Sequence, residues 1–202
     1  MHNHPALLLI GPTGSGKTPL GSYLAQRGVF DTRCFHFDFG EELRTIIRTG
    51  RLPSPLTRKD YDYIEQVLSC GALLENETFY IAEAILRSFI SKNSITKNDL
   101  IILNGLPRHL GQAEDVNRIV TIEFIFNLSC SPEVLKDRIM LNTGKDRTGR
   151  TDDSHKEIEN KIALFNRRTA PLLDFYKNRG VTLYSHEIAL NTTPKEMYTS
   201  LR

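Results

Sequence analysis

Cysteine is scarce in this chain. Cys34, Cys70 and Cys130 are far apart, odd in number and lack a CxxC spacing, which argues against a zinc site or a redox pair and for a reducing compartment. Neither sign of charge is in excess: 26 Lys and Arg against 24 Asp and Glu leave a net charge of +2, giving no global reason to bind nucleic acid or a membrane. Any basic character that matters is local. No basic cluster opens the chain, and the apolar run over residues 6–10 is too short for a signal segment or a membrane span, so a cytoplasmic location is expected. His2 and His4 read as a solvated end and receive no metal role. Internal repeats, low-complexity tracts and a dividing linker are also missing, so residues 1–202 are expected to form one domain, acting as a monomer.

What is present alternates between two periods. Ala6-Leu7-Leu8-Leu9-Ile10 ends at Gly11 and predicts a strand buried on both faces. Further strands are expected over residues 34–38, 100–103, 121–128 and, more weakly patterned, 181–184. Helical spacing links Leu20 to Leu24, Leu43 to Ile46 and Ile47, and Ile64 to Val67 and Leu68 before Gly71. Strands alternating with helices imply a parallel sheet covered on both faces.

Helix punctuation agrees. Ser131-Pro132-Glu133 sets a cap residue before proline at the first helical position, and Thr193-Pro194-Lys195-Glu196 adds capping-box spacing. Ile158, Ile162 and Phe165 mark one face of a helix expected to start near Asp152 or Asp153 and to be kinked or interrupted at Pro171. Residues 51–60, broken by Pro53 and Pro55, and the polar stretch 142–152 look like surface excursions.

Gly11-Pro12-Thr13-Gly14-Ser15-Gly16-Lys17-Thr18 satisfies G-x-x-x-x-G-K-[ST], and it follows a predicted strand and opens a predicted helix. Glycines let the backbone curl so that the N–H groups of residues 14–18 converge on phosphate oxygens, while the helix N-terminus adds partial positive charge. Lys17 supplies an ammonium to the terminal phosphates, and the Thr18 hydroxyl can hold Mg²⁺. Pro19 is harmless in a first helical turn. The loop alone does not separate kinases from other nucleotide hydrolases.

Other segments narrow the choice. Phe39-Gly40-Glu41-Glu42-Leu43-Arg44 resembles the Thr-Gly-Asp-x-Leu-Arg segment of nucleoside monophosphate kinases. Asn104-Gly105-Leu106-Pro107-Arg108, with Gln112 after it, resembles their Asp-Gly-Phe-Pro-Arg signature and later Gln. Asp137-Arg138-Ile139, Gly149-Arg150-Thr151-Asp152-Asp153 and Thr169-Ala170-Pro171-Leu172 with Tyr176 follow in the family's order over nearly the whole chain. The chain is similar to short-lid adenylate kinases, as a divergent member. That resemblance implies a three-layer P-loop α/β fold with strand order 2-3-1-4-5, an acceptor-binding helical insert over about residues 39–98 and a short lid over about 142–152.

The resemblance also implies roles. The donor, ATP, takes Gly11, Thr13, Gly14, Ser15, Gly16, Lys17 and Thr18, with Arg138 stacking on its base and Arg147 from the lid. The acceptor monophosphate is gripped by Arg44 and Arg108, whose planar forks match phosphate oxygens. Phe39 and Gly40 lie near the acceptor nucleoside, and Gln112 presents its amide to the base edge, which favours AMP. Lys17, Arg108, Arg150 and Lys161 stabilise the transferring phosphoryl group. Lys161 stands where the family has an arginine and supplies charge without the fork. Singly, Arg44 and Arg138 also read as solvated-face residues of amphipathic helices, and Arg147 and Arg150 as loop charges.

The departures matter as much. Asn104 replaces the carboxylate expected after the third strand and contributes no charge to a Mg²⁺ site. Asp38 reads either as a substitute metal ligand or as a helix cap before Gly40. Phe39 takes a threonine's place, and Asn142 an arginine's. The lid has no cysteine, which excludes a zinc-stapled lid. The expected activity is therefore γ-phosphoryl transfer from Mg-ATP to a nucleoside monophosphate, with a kinase of another small metabolite or a catalytically weak nucleotide-binding protein as alternatives.

Overall fold

The computed structural model describes residues 3–146 and 154–201. β1 (His4–Ile10) is the central strand of a five-stranded sheet of order β2-β3-β1-β4-β5, completed by β2 (Cys34–Asp38), β3 (Leu100–Asn104), β4 (Val120–Ser129) and β5 (Thr182–Glu187). Every pairing is parallel. The continuous apolar run of β1 has the predicted cause: Ala6, Leu8 and Ile10 enter one core while Leu7 and Leu9 enter the other, on opposite faces of the sheet.

α1 (Lys17–Arg27) buries Leu20 and Leu24 against the second of these cores. On the other face lie α2 (Phe39–Thr49), α3 (Arg58–Cys70), α4 (Phe79–Lys92), α5 (Leu110–Asn117) and, after α6 (Pro132–Met140) and α7 (His155–Leu164), α8 (Leu172–Lys177); α9 (Pro194–Thr199) returns to α1. The capping signals hold: the Ser131 and Thr193 side chains accept from Val134 N and Glu196 N. α7 begins later than expected, because Ser154 and Glu157 form a reciprocal capping box. Its continuation is a π-helical turn over Phe165–Thr169, and the chain then breaks at Pro171 before α8. β5 runs past residue 184 because main-chain pairing with β4 carries the polar Ser185, His186 and Glu187 along the sheet edge.

At the opposite edge a buried carboxylate ties β2 to β3. Asp99 accepts from Arg33 Nε at 2.7 Å and Nη2 at 3.0 Å, and from the Thr96 N–H and hydroxyl, each at 2.7 Å. The Arg33 hydrogen bond foremost holds its carboxyl well below the usual carboxylate range. A depressed folded-state value contributes stability that is present above the unfolded value, about pH 4, and is lost as pH falls through the folded one. Asp99→Asn should therefore lower the melting temperature by roughly 2–10 °C at pH 7. The gap between variant and parent should narrow in melts run below about pH 4; a gap that widens there would contradict the assignment.

Candidate active site

The loop between β1 and α1 lies at the carboxyl end of the central strand, where open α/β sheets place ligands. Gly14 and Gly16 hold φ of 81° and 94°, a region that disfavours any side chain, and a Cβ on Gly14 would come within 2.7 Å of Ile139 Cγ1. The curl closes around its own lysine: Lys17 Nζ donates to the carbonyls of Gly11 at 2.6 Å and Pro12 at 2.8 Å. Ser15 is fully buried beneath it, its hydroxyl without a hydrogen-bond partner among the described residues.

Sheet register brings the next group together. Asp38 and Asn104 are partners at the ends of β2 and β3, and Asn104 is also opposite Leu9 of β1, just before the loop. Thr18 Oγ1 donates to Asp38 Oδ2 at 2.6 Å; Asn104 Nδ2 donates to Asp38 Oδ2 at 2.8 Å and to Thr18 Oγ1 at 3.1 Å. The other Asp38 oxygen accepts from Glu41 N at 3.1 Å and caps α2. One Asp38 oxygen therefore caps the helix while the other faces Thr18 and Asn104. Asn104 turns its NH₂ side inward, so it bridges the hydroxyl and the carboxylate. Threonine hydroxyl and carboxylate are hard oxygen donors of the kind Mg²⁺ takes, so the residues present fit that ion.

Arg108 follows β3 through Gly105, Leu106 and Pro107. Two side chains pin its main chain: Gln112 Oε1 accepts from its N–H at 2.7 Å, and Thr169 Oγ1 donates to its carbonyl at 2.7 Å. Its half-buried guanidinium has no hydrogen-bond or ion-pair partner among the described residues. Desolvation pulls its pKa down, against the attraction of Asp38. A desolvated cation without a counter-ion is an unfavourable arrangement that an anion would relieve. Arg44, on α2, is held over its own helix by Glu41, Nε to Oε2 3.0 Å. Phe39 is buried and stacks on Phe37, ring centroids 6.0 Å apart.

One cleft of about 220 Å³ is lined by the loop residues Gly11, Thr13, Gly14, Gly16, Lys17 and Thr18 together with Asp38, Phe39, Gly40, Arg44, Asn104, Arg108 and Lys161 of α7. Arg147 and Arg150 lie outside the described residues, as does the 147–152 part of the expected lid.

Two residues expected to meet ligands are hydrogen-bonded to the protein itself in this structure. Arg138 is 3% exposed, and its guanidinium donates to Gly14 O at 3.0 Å, Ala189 O at 2.8 Å, Leu190 O at 2.8 Å and Thr192 O at 3.3 Å. It braces the phosphate loop against the turn before α9, because the planar fork answers several carbonyls at once. Gln112 does not offer a free amide: besides taking the Arg108 N–H, it gives its Nε2 to Leu74 O at 2.8 Å and is 1% exposed.

Sequence reasoning missed the residues around that second contact. His109 Nε2 lies 3.0 Å from the same Leu74 carbonyl, and Arg168 binds Glu75 with both arms, at 3.1 and 2.7 Å. This Arg168 ion pair holds the Glu75 carboxyl below its ordinary range. The one available signal was Thr169 within Thr-Ala-Pro-Leu, which had no assigned partner.

A phosphate loop sharing a cleft with an arginine that makes no hydrogen bond or ion pair among the described residues, at the end of a parallel sheet, defines a P-loop phosphotransferase. Residues 9–181 match the family model described as adenylate kinase. Among similar proteins are adenylate kinases from Prochlorococcus marinus, 27% identical over 183 residues covering 88% of this chain and 87% of the relative; from Stenotrophomonas maltophilia, 29% over 180 residues, 86% of each; and from Phocaeicola vulgatus, 28% over 191 residues, 92% and 90%. The chain belongs to the adenylate kinase family and is a phosphotransferase, a nucleoside monophosphate kinase. Among the described residues no helix is long and apolar enough to cross a membrane.

Proposed function

We propose that the protein transfers the γ-phosphoryl group of Mg-ATP to a nucleoside monophosphate, with AMP among its acceptors. The observation that carries this is Arg108: a desolvated guanidinium without a partner among the described residues, in the same cleft as the phosphate loop.

The loop amides of residues 14–18 and Lys17 hold the donor's polyphosphate, Lys17 exchanging the carbonyls of Gly11 and Pro12 for phosphate oxygens. Arg108, with Arg44 once it leaves Glu41, fixes the acceptor phosphate in line with the donor. Lys161, with Arg147 and Arg150, supplies positive charge from the lid side, and closing the cleft excludes water. Thr18 and Asp38, with Asn104 bridging them, would hold Mg²⁺, which when bound neutralises charge on the β- and γ-phosphates. No covalent enzyme intermediate is needed, because positioning and charge stabilisation supply the catalysis. The expected location is the cytoplasm and the expected state a monomer.

The test is ADP formation from ATP and AMP followed by coupled spectrophotometry. Turnover that requires both nucleotides is expected. Binding of both without transfer would instead favour a catalytically weak nucleotide-binding protein, and turnover only with a non-nucleotide acceptor would make it a metabolite kinase.

A further inference from the structure

We infer that the Glu75–Arg168 ion pair is a positioning device: it ties the return segment of the acceptor-binding insert to the π turn after α7, and so sets where Arg108 meets the acceptor phosphate. This rests on the proposed acceptor site and deepens it.

Three pieces of chain that are distant in sequence meet here. The segment after α3 turns at Gly71 and brings Leu74 and Glu75 onto the start of α5, where Asn76 lies against Gly111, a place with no room for a side chain. His109 Nε2 lies 3.0 Å from the Leu74 carbonyl. The third piece is the π turn, closed by the Ala170 N–H on the Phe165 carbonyl at 2.9 Å. Single π turns recur at functional sites. This one gives two consecutive side chains protein partners: Arg168 reaches Glu75 with both arms, at 3.1 and 2.7 Å, and Thr169 donates to the Arg108 carbonyl at 2.7 Å.

The tie joins two walls of the cleft. Leu73 and Leu74 line it from the insert side, and Lys161, Leu164, Phe165 and Thr169 from the helix side. Neither Glu75 nor Arg168 lines it, so an acceptor can seat there with the pair intact. The donor side is braced separately, by Arg138 on the carbonyls of residues 14, 189, 190 and 192, none of which belongs to this knot. Loss of the pair should therefore fall on the acceptor and spare ATP. With side chains 32% and 49% exposed, the pair adds little to global stability, because solvent screens it. The same exposure caps the kinetic effect at about fivefold, or ~1 kcal/mol at about 1.4 kcal/mol per tenfold.

The experiment compares Arg168→Met and Glu75→Gln with the parent in kcat/KM for AMP at saturating Mg-ATP, together with the KM for ATP and a thermal melt of each. Either variant should lose about fivefold, carried by the KM for AMP, with the KM for ATP within about twofold and the melting temperature within about 3 °C. The double variant should lose no more than either single one, because the two residues act as one contact. Additive losses, an unchanged or raised kcat/KM, or equal weakening of both nucleotides would overturn the inference and leave the kinase reading intact. A variant that fails to fold would also overturn it, by assigning the pair to structure alone. Absence of turnover by the parent with any monophosphate would remove both the inference and the kinase reading.

Discussion

Lys17→Ala is expected to lower kcat by about a hundred- to thousandfold while the protein stays folded. In the structure the ammonium already lies inside the curl of residues 11–18, bonded to two of the loop's own carbonyls, so no rearrangement of the backbone is needed to bring it to a phosphate. Its charge matters most when charge gathers on the bridging and terminal oxygens, which is why the loss falls on kcat more than on the KM for ATP. The loop itself is held by other means: the glycine conformations at 14 and 16, the Ser15 N–H to Pro12 carbonyl bond, and the Arg138 bond to Gly14 O. A melting temperature within a few degrees of the parent is therefore expected. Near-full kcat in this variant would show that the donor phosphates bind elsewhere.

The features legible beforehand are those fixed by short-range period. β1 is continuous in apolar residues because it faces two cores, and the phosphate loop is a contiguous string whose backbone shape depends on its own glycines. The strand order, inferred by resemblance, follows the same logic at larger scale. α4 escaped because it carries no clear stripe: Phe79, Ile81, Ala82, Ala84, Ile85 and Leu86 are all buried, and the side chain of its cap residue Thr78 bonds backwards to the Glu75 carbonyl rather than capping the helix. A helix buried most of the way round loses the period that would announce it.

The site was legible in membership and illegible in partnership. Arg108, Arg44, Lys17 and Thr18 line one cleft. What a long polar side chain bonds to is decided by carbonyls that folding brings from elsewhere. Gln112 meets Leu74, 38 positions away, and Arg138 meets residues 189, 190 and 192 beyond β5. Neither distance leaves a trace in local pattern, so these bonds to the protein could not be read beforehand. Asp38 was ambiguous for the complementary reason, since a carboxylate has two oxygens and a sequence reading grants it one role.

Arg108→Met should separate function from stability in opposite directions. Burial disfavours the charged form of Arg108, and because a guanidinium remains protonated through the working range, that unfavourable contribution to folding is present at every such pH and adds no pH slope. Methionine keeps most of the packing and removes the charge, so the melting temperature should stay equal or rise. The acceptor loses its principal counter-ion in a desolvated place, and kcat/KM for the monophosphate should fall by about a hundredfold or more, with the KM for ATP within about threefold of the parent. Arg108→Lys should fall between the two, retaining the charge but not the two-armed geometry. Steady-state kinetics on both substrates, with a thermal melt of each variant, checks all three outcomes. A stabilised variant with intact acceptor kinetics would mean that this cation waits for some other anion.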